Sequence, residues 1–76
     1  MDLKEEIRDR IAEMLEIESE ELGYDDLFTD HGMDSFAAMQ LVVILESEYD
    51  VSIPDKRIIE LKCVNDTVRM IEELKQ

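Results

Sequence analysis

Apolar side chains recurring at steps of three and four residues commit most of this chain to α-helix. In DLKEEIRDRIAEMLEI, residues 2–17, Leu3, Ile7, Ile11, Met14 and Leu15 line one face while Glu and Arg fill the other. That is the amphipathic pattern of a helix packed on a core. Asp2 stands where a cap belongs, and Glu6 and Arg10 are spaced for a favourable i,i+4 pair. VNDTVRMIEELKQ, residues 64–76, repeats the period through Val64, Val68, Ile71 and Leu74. Cys63 is a poor cap for this last helix, whereas Asn65 or Asp66 would serve if it began slightly later.

A second long helix is predicted from about Ser35 to Tyr49, with Leu41, Val42, Leu45 and Tyr49 as its core stripe. Its segment LVVIL has strand-forming residues but lies inside a longer helical period. In VSIPDKRIIELK, Pro54 breaks the chain, Asp55 is a candidate cap, and a short helix would turn Ile58, Ile59 and Leu61 inward. Between the first two helices, SEELGYDDLFTDHGM loses all period. A structureless connection of that length is unusual in a small domain, so Leu22, Tyr24, Leu27 and Phe28 are expected to fold back onto the core. The expected fold is an all-α four-helix bundle, with three long helices, one short third helix and a long loop between helices one and two. Residues 1–76 are read as a single domain.

A chain of 76 residues buries only about 60–65% of its unfolded surface, which leaves little room for a deep catalytic pocket. No stretch approaches the roughly 20 apolar residues of a membrane span, and MDLKEEIRDR is too charged for a signal peptide, so a cytoplasmic protein is expected. The lone Cys63 forms no internal disulfide and lacks the neighbours of a structural zinc site. The formal net charge of -13 excludes nucleic acid and anionic membrane as natural partners. No Lys or Arg falls between Arg10 and Lys56, where thirteen carboxylates account for the whole imbalance. Such a concentrated field steers basic partners toward a monomer.

Within that acidic stretch, GMDSFAAMQL, residues 32–41, sets a serine at the head of the second helix. A hydrolytic triad of Ser35, His31 and an aspartate lacks any mark of an oxyanion hole. A calcium loop fails on register: Gly32 at position six puts Leu27 at position one and Ala38 where the bidentate glutamate belongs. A plain helix cap by Asp34 or Ser35 is the simpler alternative, although Ala37 and Ala38 complete no capping box. Capping also leaves Phe36, Met39 and Val43 unexplained. These form a second apolar stripe on a flank that three other short helices do not cover, the composition of a docking strip.

The residues Gly32, Asp34, Ser35 and Phe36 resemble the Gly-x-Asp-Ser-Leu/Phe/Met signature of acyl carrier proteins. The likeness extends over nearly the whole chain, including LVVILESEYDVSIPD after the serine. It implies a non-catalytic carrier whose Ser35 is esterified with 4'-phosphopantetheine, taken from coenzyme A by a phosphopantetheinyl transferase, with Asp34 as the motif neighbour. It further implies acyl-loading and acyl-processing partners whose basic patches meet Phe36, Met39 and Val43, rimmed by Asp34, Glu46 and Glu48. Cys63 is not the cargo-bearing thiol, and no metal is called for. Ala37, Gln40 and Ser47 stand where carriers of primary fatty acid synthesis commonly bear acids. A fatty acid, specialised lipid or polyketide pathway is therefore compatible, as is an aminoacyl or peptidyl carrier. The alternative from another class is an acidic helical adaptor without a prosthetic group.

Overall fold

Three α-helices carry the core: α1 (Leu3–Leu15), α2 (Ser35–Tyr49) and α3 (Val64–Leu74). The computed structural model describes residues 2–76, and among them there is no β-strand. The short third helix expected from the sequence is a 3₁₀ segment, Asp55–Glu60, and the long loop holds two further 3₁₀ turns, Ser19–Glu21 and Phe28–His31.

The Asp2 carboxylate caps α1, accepting the Glu5 N–H at 2.9 Å. The Glu6–Arg10 pair does not form. Arg10 pairs with Glu48 of α2 and lies 3.7 Å from Glu13, while Glu6 accepts the Tyr49 hydroxyl at 2.6 Å. An isolated i,i+4 pair contributes only about 0.2–0.5 kcal/mol, so partners from a neighbouring helix displace it readily. Burial, then the hydrogen bond to Glu6, raises the Tyr49 phenol pKa well above its usual value. Both contacts fasten α1 to the C-terminal half of α2.

Ile7, Ile11, Leu41, Leu45, Val64 and Ile71 form the interior with Leu22 and Phe28 from the loop, none more than 1% exposed. Burying each such side chain stabilises the fold by roughly 1.5–3 kcal/mol. Tyr24 is half-buried against the core beneath Lys4 and Arg8, each 4.9 Å from its ring centroid. Leu27, expected inside, is instead 47% exposed. The Phe28 N–H donates to the Lys62 carbonyl at 2.9 Å, which draws Phe28 inward. Leu27 precedes it in extended backbone, where adjacent side chains point apart, so it faces solvent.

Ile59 also departs from expectation. Ile58 and Leu61 turn inward, but Ile59 is 73% exposed. A 3₁₀ segment has three residues per turn, so positions i and i+3 eclipse and a residue between them faces elsewhere. The same geometry stacks Arg57 on Glu60, with N···O at 3.0 Å. Pro54, not Asp55, is the residue preceding this turn, and no side chain caps it. Helix α3 begins at Val64, with Cys63 at the cap position and no side-chain cap bond. Asn65 serves another purpose: its side chain donates to Asp25 at 2.7 Å and its N–H to the Tyr24 carbonyl at 3.0 Å, pinning the loop. The Cys63 thiol is buried, which pushes its pKa up.

Candidate functional site

The serine's position follows from the three residues before it. The Phe28–His31 turn is closed by Met33 N–H to the Phe28 carbonyl at 3.1 Å, which requires a left-handed residue at Gly32, where φ is 92°. No neighbouring atom lies within 4 Å of a Cβ built there, so backbone conformation rather than space demands glycine. Asp34 is the cap of α2: its carboxylate accepts the Ala37 N–H at 2.9 Å and its carbonyl the Ala38 N–H at 2.9 Å. Such a cap contributes about 1 kcal/mol.

Ser35 is consequently the first helical residue and not the cap. It is exposed, and no side-chain hydrogen bond among the described residues uses its hydroxyl. Asp34 meets the needs of the helix start and leaves the Ser35 oxygen available. The first amides of α2 point outward at the positive end of the helix, an environment favourable to an anion.

Two apolar surfaces flank this oxygen. On α2, Phe36, Met39 and Val43 are 73%, 50% and 63% exposed, and with Gln40 and Ile44 they line a shallow depression of about 370 Å³. Phe36 does not tuck under the long loop. On the other side, Leu27, Met33, Ala38, Ile59 and Lys62 border a groove of about 530 Å³ that also contains Ser35. From the sequence, Leu27 and Ile59 are expected in the core rather than at a site, and Lys62 is not singled out. The triplet spacing of Ile58 and Leu61 after Pro54 was the available signal for Ile59.

Glu46 and Glu48 have partners within the chain. Glu46 is half-buried and accepts the Ile53 N–H at 2.9 Å, tying the segment after α2 to the helix, and Glu48 pairs with Arg10. His31 bonds Asp26 at 3.0 Å, with no hydrogen bond to Ser35 among the described residues. That contact, with the Gly23 N–H, holds the Asp26 carboxyl below its usual pKa. His31, Asp26 and Ser35 thus form no relay. No group of three or more His, Cys, Asp or Glu among the described residues is arranged to hold a metal ion.

An exposed, uncommitted hydroxyl at a helix start, beside an open groove and an apolar strip, fits a bulky anionic substituent. Residues 5–71 match the family model described as "Phosphopantetheine attachment site". The chain is 31% identical over 75 residues to the acyl carrier protein of Sulfurovum sp. (strain NBC37-1), covering 97% of this chain and 100% of that protein. The chain belongs to the acyl carrier protein family, and its prosthetic group is a covalently attached 4'-phosphopantetheine.

Proposed function

We propose that Ser35 is the residue that bears the 4'-phosphopantetheine arm, and that the protein presents acyl groups on it to the enzymes of a lipid or polyketide pathway. When bound, the arm supplies a terminal thiol on which acyl groups travel as thioesters. The observation that carries this assignment is the exposed Ser35 hydroxyl at the start of α2, left free because Asp34 caps the helix. The first amides of α2 would face the phosphodiester, and the helix dipole would favour its charge. Residues 1–76 act as one carrier domain and do no catalysis of their own. A cytoplasmic monomer accords with the net charge of -13, which opposes self-association. No helix among the described residues is long and apolar enough to cross a membrane.

Phosphopantetheinyl transferase and acyl-processing enzymes would dock on Phe36, Met39 and Val43, the apolar centre supplying contact energy and the acidic rim steering encounter. With Glu48 paired to Arg10, the steering falls chiefly to Asp34 and to the free oxygen of Glu46. An aminoacyl or peptidyl carrier would use the same serine, arm and strip. Its cargo would be read from the mass of the thioester species on protein isolated from its native cell.

Mass mapping tests the attachment point. Trypsin leaves residues 11–56 whole because they contain no Lys or Arg before Lys56, and the peptide holds Ser19, Ser35, Ser47 and Ser52. Fragmentation of this peptide from holo-protein is expected to place the added mass on Ser35. An adduct on any other serine refutes the assignment. For the strip, Val43→Glu is expected to slow arm transfer about tenfold, the equivalent of 1.4 kcal/mol in the encounter with the transferase. The side chain is 63% exposed, so stability should stay within about 0.5 kcal/mol of wild type. An unaltered transfer rate assigns Val43 to ordinary surface.

A further inference from the structure

Six of the eight basic side chains are engaged within the chain. Lys4 and Arg8 lie over Tyr24, and Arg10 pairs with Glu48. Arg57 is held by Glu60 and Glu73, Arg69 by Asp66, and Lys75 donates to the Tyr49 carbonyl. Lys56 and Lys62 have no such partner among the described residues. For a chain with 21 carboxylates, an unpaired ammonium calls for an explanation.

Only one of the two borders the groove beside the serine. Lys62 lines the groove that contains Ser35, and it is the only cation among the lining residues. Its root is fixed, since its carbonyl accepts the Phe28 N–H at 2.9 Å and the adjacent Leu61 is buried. The side chain itself is exposed, a flexible stem ending in a compact charge with three donors. Glu60 and Asp66, which share the hollow on its other flank, are already taken by Arg57 and Arg69. Ser35, in contrast, lies in the long stretch without a single Lys or Arg and directly follows the Asp34 carboxylate. A phosphodiester there adds a full negative charge to an acidic surface, and the helix end offsets only about half a charge.

We propose that Lys62 is the counter-ion of the phosphodiester on Ser35, reaching across the shared groove to hold the root of the arm against the Leu27–Ile59 side. Lys62 then sets the direction in which the arm leaves the protein, as a positioning residue. The proposal rests on Ser35 being the attachment point.

Phosphorus NMR of holo-protein tests it, with wild type, Lys62→Gln and Lys56→Gln each loaded from coenzyme A by a broad-specificity transferase and checked by mass. At about 0.01 M salt, where the Debye length is about 30 Å, the Lys62→Gln phosphodiester resonance should be displaced from wild type while that of Lys56→Gln coincides with it. At about 1 M salt the Debye length falls to about 3 Å and the displacement should collapse. Both lysines are exposed, so apo-protein melting curves should superimpose for all three chains. A Lys62→Gln resonance identical to wild type at both salts overturns the proposal, as does an equal displacement in Lys56→Gln. Failure of wild type to gain the mass overturns the Ser35 assignment as well, whereas a loaded but unresponsive phosphodiester overturns Lys62 alone.

Discussion

Ser35→Ala is expected to gain no mass from coenzyme A and a broad-specificity transferase under conditions where the wild-type chain gains one phosphopantetheine. The loss should be complete rather than partial, because the arm is joined through the hydroxyl oxygen that alanine lacks. The fold should not notice the change. Ser35 is exposed at the first position of α2, Asp34 supplies the cap, and alanine is a better helix former than serine. Stability should therefore remain within about 0.5 kcal/mol, read from far-ultraviolet circular dichroism on heating. Ser47 and Ser52 are also exposed, but neither stands at a helix start. Ser47→Ala should accordingly load like wild type. A phosphopantetheine found on Ser35→Ala would move the attachment point elsewhere, and an unmodified wild type beside a loaded control carrier would favour the acidic adaptor.

What could be seen in the sequence was what is decided locally. The Leu41, Val42, Leu45 and Tyr49 spacing marks both the span of α2 and its inward face, because a 3.6-residue period needs no knowledge of the partner helices. By elimination the same period leaves Phe36, Met39 and Val43 outside, where the structure has them. The serine was visible through its short motif, and its freedom from capping turned on the choice between two adjacent residues. What escaped was decided across the fold, or by a local winding that apolar spacing does not reveal. Glu6 meets Tyr49, 43 positions away, rather than Arg10. Phe28 rather than Leu27 enters the core because the backbone of Lys62 receives its N–H. Ile59 faces outward because its segment winds with three residues per turn, which a composition of KRII does not announce. Leu27, Ile59 and Lys62 help line the groove beside Ser35, so that side of the candidate site rests on choices the helical period does not reveal.

The chain's two phenylalanines should respond oppositely to truncation. Phe28 is 1% exposed and Phe36 is 73% exposed. Phe28→Ala removes a fully buried ring from a small core, a change that costs about 3–5 kcal/mol through lost transfer energy and the cavity left behind. At roughly 0.05–0.15 kcal/mol per residue, a chain of this size has a total stability of about 4–11 kcal/mol. The variant should thus lose most of its margin, with Tm falling by about 4–8 °C for each kcal/mol. The damage should extend to the site, since the Met33 N–H bond to the Phe28 carbonyl closes the turn that delivers Gly32, Asp34 and Ser35. Phe36→Ala should leave Tm within a few degrees, because little apolar area is returned to water. Its effect should appear instead as slower arm transfer, since the ring is the largest side chain of the exposed strip. Melting curves and transfer rates measured on both variants separate the two roles. Equal loss of Tm would mean that Phe36 is sheltered in solution and that α2 offers no open docking face. A stable Phe28→Ala would mean that the loop holds the serine in place without its aromatic anchor.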